Sequence, residues 1–162
     1  MVFFRLQHSK TVFDMWKNIV FFGLLAFVSP SLFGQQTANT TSKGYAVDGY
    51  DVVAYFEKRA QKGTKKFETT FEGVHYRFVS KENLEKFQER PQEYCPQYGG
   101  WCAYALGAKN KKVSIDPETF EIRDGKLYLF YNSWGINTYK SWKKEGLDRL
   151  RAKADENWKA LP

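Results

Sequence analysis

Residues 67–78 alternate apolar and polar side chains on both sides of Glu72-Gly73. Phe67, Thr69 and Phe71 lead in, and Val74, Tyr76 and Phe78 lead out. Period-two alternation around a glycine-containing turn predicts a β-hairpin. It puts Phe67, Phe71, Tyr76 and Phe78 on a buried face and His75 and Arg77 on the other. A second run, FEIRDGKLYLFY at 120–131, turns at Asp124-Gly125, a strong signal for a tight hairpin turn. Between the hairpins Ser80 predicts a helix start, its hydroxyl accepting from a first-turn N–H. Leu84 and Phe87 then share a helix face, and Pro91 ends that helix near Glu89 or Arg90. Ahead of the first hairpin, a Gly49 turn precedes a short β-rich run at 52–56. The tail at 132–161 changes period. Tyr139, Trp142, Leu147, Leu150, Ala154, Trp158 and Leu161 recur at mostly three- and four-residue steps, which predicts a helix with one apolar stripe. Lys140, Lys143, Lys144, Arg149, Arg151 and Lys153 occupy its other face, a face that is solvated or touches anionic headgroups. The pattern predicts an α+β fold class: one small domain of two β-hairpins packed against helices, with a long C-terminal amphipathic helix.

The N-terminus has a different character. Residues 19–28 read IVFFGLLAFV, preceded by Arg5, Lys10 and Lys17 and followed by Ser29, Pro30, Ser31 and Gly34. A basic lead, a short apolar run and a small-residue exit predict a signal peptide over residues 1–34. Met15 offers a more compact start, and cleavage after Ser31 is the alternative to Gly34. An uncleaved anchor helix is the alternative reading of the same run. No cysteine follows it closely, which argues against a lipid anchor. Residues 35–44, QQTANTTSKG, are small and polar and predict a flexible leader, with the domain at 45–162. The expected location is periplasmic or secreted, with no transmembrane span in the mature chain.

Composition narrows the classes. With 162 residues, 43% hydrophobic and 18% aromatic, the chain has material for one packed domain. No stretch reaches the roughly 18 apolar residues that span a bilayer, which excludes a polytopic membrane protein. Two cysteines and two histidines are too few for a zinc finger, an iron–sulfur cluster or a disulfide-dense scaffold. The net charge is +7. Loss of residues 1–34 removes Arg5, Lys10, Lys17 and Asp14, and with them His8, so the mature chain keeps a +5 charge and His75 alone. A basic, aromatic surface suits nucleobase stacking, but export makes nucleic acid an unsuitable partner.

The segment CPQYGGWCAYALG at 95–107 holds the candidate chemistry. Cys95 and Cys102, at a C-x6-C spacing that matches no established metal motif, allow three readings. They form a structural disulfide, they bind Cu(I) as thiolates, or Cys102 is buried and unpaired beneath Trp101 and Tyr104. His75 reads as a lone surface histidine, since metal sites need several ligands and a general base needs an oriented partner. Asp51 either bonds backbone donors at a turn or serves as a site carboxylate. Tyr and Trp, apolar bodies with a polar tip, build either the core or an aromatic-walled pocket. The sequence shows no nucleophile–base triad, phosphate loop or paired carboxylates, so an enzyme is not the expected class.

GYDVVAYF at 49–56, Tyr76-Arg77-Phe78-Val79-Ser80, then Phe87, Pro91 and Tyr94, PQYGGWCAYAL at 96–106 and ADENW at 154–158 together resemble the YHS domain family, and most closely its exported stand-alone proteins. The metal-associated branch of that family carries three cysteines, which fall here on Ala54, Val79 and Asn83, while its histidine falls on Arg77. None of those three replacements supplies a soft-metal ligand. Cys102 lies within the stretch that resembles the exported branch and Cys95 does not. The expected function is a non-catalytic binding or accessory module of the cell envelope, its ligand a small molecule or an envelope protein. The expected ligand cluster is Tyr50, Asp51, Tyr98, Trp101, Cys102 and Tyr104. The alternative is a copper-handling protein in which Cys102, with or without Cys95, holds the metal ion.

Overall fold

The computed structural model describes residues 37–161, so the expected signal peptide at 1–34 lies outside the described residues. These residues form a mixed α+β domain of five α-helices and three two-stranded antiparallel hairpins. Strand β1 (Thr64–Phe71) pairs with β2 (Val74–Phe78) in the register Phe71↔Val74, Thr69↔Tyr76 and Glu68↔Arg77. Glu72 and Gly73 turn with φ of 49° and 78°, the left-handed pair that a twisted hairpin requires. Helix α1 (Lys81–Glu89) starts at Ser80, whose hydroxyl accepts from the Asn83 N–H at 3.1 Å. Pro91 opens the one-turn α2 (Pro91–Tyr94) at a position where a missing N–H costs nothing. After α3 (Ala103–Lys109), strand β3 (Asp116–Arg123) pairs with β4 (Lys126–Phe130) around Asp124-Gly125.

Strand β4 organises the interior. Its alternating side chains are buried on both faces. Leu127 and Leu129 join one hydrophobic cluster with Val52, Tyr55, Phe78 and Phe87. Tyr128 and Phe130 join another with Leu106, Trp142, Leu150 and Ala154. At Gly107 an added Cβ would stand 2.3 Å from the Leu150 carbonyl oxygen, so only glycine lets α3 lie this close to the C-terminal helix.

Two local expectations are corrected, and the described part of the leader makes contacts of its own. The tail is not helical from residue 132. Residues 132–137 form a third hairpin, β5 (Asn132–Ser133) with β6 (Ile136–Asn137), turning at Trp134-Gly135. The helical part then breaks at Gly146, with φ of 96°, into α4 (Thr138–Lys144) and α5 (Leu147–Ala160). The run at 52–56 is not a strand. Residues Ala54–Glu57 form one 3-10 turn, because the Asp51 carboxylate accepts from the Val53 and Ala54 N–H groups. The polar leader is tied down over its described part. The Asn39 N–H donates to the Gly99 carbonyl at 2.8 Å and its side-chain amide to the Gly100 carbonyl at 3.0 Å. The Trp101 indole N–H donates to the Thr37 carbonyl at 2.8 Å. No described helix is long and apolar enough to cross a membrane.

Candidate functional site

A cleft of about 620 Å³ opens where residues 37–46, the tip of the β1–β2 hairpin and the last turns of α5 come together. Phe71, Tyr76, Cys95, Pro96 and Trp158 line it, with Glu72 beside them. An adjoining cleft of about 550 Å³ shares Phe71, Glu72, Cys95, Pro96, Gly99 and Trp158, and adds Tyr98, Lys126, Asp155 and Lys159.

The loop between α2 and α3 shapes this space. Cys95 and Pro96 are extended, as a residue preceding proline prefers. Tyr98, Gly99 and Gly100 then take φ of 57°, 59° and 83°. The glycines adopt this backbone without penalty, whereas Tyr98 is held there at some cost. Its ring packs on Tyr128 and Trp158 at centroid distances of 6.0 and 6.3 Å, and its hydroxyl donates to Asp155 Oδ1 at 2.8 Å. At Gly99 an added Cβ would stand 3.2 Å from the Trp158 ring and 3.3 Å from Ala38 Cα. The double glycine thus lets the leader and α5 close on the same loop from two sides.

The Cys95 thiol and the Tyr76 and Tyr98 phenols of the lining are held in their neutral forms. Burial pushes the Cys95 thiol up, opposed in part by its hydrogen bond with the Tyr76 hydroxyl, 3.5 Å away. Burial also raises the Tyr76 phenol, and burial followed by the Asp155 hydrogen bond raises Tyr98. The Lys112 ammonium lies 5.7 Å over the Trp158 ring. The combination of half-buried aromatic faces, a neutral thiol and rim charges of both signs suits a flat apolar body with polar ends.

Of the six residues expected as a ligand cluster, Tyr98 lines the adjoining cleft and the others stand elsewhere. Asp51 is fully buried and saturated. Its Oδ1 accepts from the Val53 and Ala54 N–H groups at 2.8 and 3.2 Å. Its Oδ2 accepts from the Val79 N–H at 2.9 Å and the Asn83 amide at 2.7 Å. Ala54, Val79 and Asn83, the three positions the family pattern gives to cysteine, thus converge on one carboxylate. Tyr50 donates to Glu118 at 3.3 Å, and burial followed by that carboxylate raises its phenol. Trp101 reaches the leader, and Tyr104 donates to Glu145 at 2.9 Å.

The two cysteines are free and keep different company. Cys95 packs against the first cluster. Cys102 is fully buried; its sulfur accepts from the Tyr131 N–H and meets the Thr138 hydroxyl, both at 3.4 Å. It pins the start of α3 to the base of the third hairpin, which makes it the buried, unpaired cysteine of the third reading. Among the described residues no group of three or more His, Cys, Asp and Glu side chains is arranged to hold a metal ion. Sequence reasoning put Phe71 and Tyr76 on a buried face and Trp158 on the helical stripe. It did not join them into a site, since no local pattern announces that these three surfaces meet.

No family model, no curated protein and no solved structure matches this chain.

Proposed function

We propose that this protein is a non-catalytic binding module whose ligand seat is the cleft around Cys95 and Trp158. One observation carries the reading: the aromatic side chains of Phe71 and Trp158, from separate elements, are left half-covered around one concave space that the buried Tyr76 ring also lines. A well-formed apolar pocket with a few polar groups is the expected form of a small-molecule site. The kinship with exported YHS proteins stays part of this proposal. It rests on the sequence motifs, three of whose positions, Ala54, Val79 and Asn83, lie around Asp51. Periplasmic or secreted location is supported by the apolar run at 19–28 and its basic lead. The copper alternative has less support, since the Cys102 thiol is sealed from solvent and Cys95 bonds a phenol instead.

A set of flat aromatic fragments, screened by saturation-transfer NMR, tests the seat. Fragments that bind the wild-type chain are expected to weaken roughly tenfold or more on Trp158→Ala, as the loss of one aromatic wall implies. Tyr50→Phe leaves them unchanged. Absence of any binding, or equal binding to wild type and Trp158→Ala, contradicts the reading.

A further inference from the structure

The three hairpins use one backbone solution with different chemistry at the tip. Glu72, Asp124 and Trp134 each occupy the first turn position with φ of 49°, 51° and 52°, and a glycine follows each. Acidic and amide residues tolerate this left-handed geometry, and a bulky aromatic does so at a cost. The chain nevertheless holds Trp134 there with 92% of its surface exposed, beside Ile136 at 58%.

This tip is firmly mounted. The Thr138 N–H and hydroxyl both donate to the Tyr131 carbonyl, at 3.0 and 2.8 Å, closing the base of the hairpin. Asn137 ends β6 and caps α4, its side-chain oxygen accepting from the Lys140 N–H at 3.2 Å. The hairpin therefore runs into α4 without a linker. Helix α4 exposes Lys140, Lys143 and Lys144 along a length of about 10 Å. Residues 131–144 contain no acidic side chain. The flanking carboxylates have partners, Asp116 in Asn132 and Thr119, and Glu145 in Tyr104.

We propose that the β5–β6 hairpin is a membrane-docking element that sets Trp134 and Ile136 into the interfacial layer of an anionic bilayer, with the α4 lysines on its headgroups. Tryptophan also anchors protein interfaces, but lysine is depleted from their cores. An exposed indole and aliphatic tip beside clustered lysines is the pairing that suits a negatively charged membrane surface. This inference is independent of the cleft.

The test uses the full chain, so the apolar run at 19–28 contributes equally to every variant. Mixed phosphatidylcholine–phosphatidylglycerol vesicles brominated on their acyl chains quench the wild-type indole emission, and Trp134→Phe removes a clear share of that quenching. Substituting Trp134→Ala with Ile136→Ser lowers vesicle partitioning roughly tenfold. Lys140→Gln, Lys143→Gln and Lys144→Gln together abolish the added binding that phosphatidylglycerol brings. All these side chains are exposed, so the helical far-ultraviolet circular dichroism and the urea unfolding midpoint stay near those of the wild type. Equal quenching in wild type and Trp134→Phe overturns the proposal, as does unchanged lipid preference in the triple lysine variant. A Trp134-dependent dimer in lipid-free sedimentation velocity also overturns it, in favour of a protein contact.

Discussion

Asp51 adjoins Val52 and Val53 of the first hydrophobic cluster and Cys95 packs against the same cluster, and they differ in what each has left over. Asp51 has no exposed surface, and its two oxygens take four donors from two separate stretches of chain. Nothing remains of it for a ligand. Cys95 is half-buried, bonds weakly to one phenol and faces a cleft whose aromatic walls are incompletely covered. Burial in a satisfied network makes a polar residue structural, whereas partial burial beside uncovered rings leaves it able to meet something else. The sequence marks Asp51 as strongly as it marks Cys95, and only their surroundings separate them.

The sharpest way to break this comparison is at Asp51. Asp51→Ala strands the Val53, Ala54 and Val79 N–H groups and the Asn83 amide inside the protein, and is expected to cost about 3–5 kcal/mol in urea unfolding. Asp51→Asn keeps the shape but sets an NH2 against existing donors, for a loss of about 2–3 kcal/mol. A loss under about 1 kcal/mol in either variant would mean that the carboxylate is not the staple described here. Gly99→Ala comes next. Its Cβ presses on Trp158 and Ala38 at a positive φ, so about 1–3 kcal/mol of stability is lost and fragment affinity falls with it. Retained affinity in a destabilised protein would separate the loop from the seat.

The smallest effect is on the thiol. Alkylation follows the thiolate, and burial disfavours the thiolate, so the rate of Cys95 alkylation rises with pH through a midpoint above the ordinary thiol value. The Tyr76 hydroxyl favours the thiolate by donating to it, so Tyr76→Phe moves that midpoint further up. A downward move would show that Tyr76 accepts instead.

Local chemistry made much of this fold readable. The turns at Glu72-Gly73 and Asp124-Gly125, the Ser80 cap and Pro91 all act within a few residues, and the α+β class follows from them. The third hairpin was hidden because tryptophan is a rare occupant of a left-handed turn, so Trp134-Gly135 reads as part of a helical tail. The leader's contacts were illegible for another reason: the Asn39 side-chain amide finds its acceptor 61 positions away, beyond the reach of any local pattern. At the site, the turn role of Asp51 was legible in the residues that follow it. The cleft was not, since Phe71, Tyr76 and Trp158 each satisfy an ordinary core pattern and only tertiary packing leaves Phe71 and Trp158 half-covered.

The cleft, and not the Asp51 cluster, is the proposed ligand seat. Its most direct test is a backbone amide NMR titration of the wild-type protein with the tightest aromatic fragment. Shifts are expected to concentrate at residues 71–76, 95–99 and 155–159, with residues 51–54 and 79–83 unmoved. Shifts centred on 51–54 and 79–83, with the cleft residues silent, would contradict it.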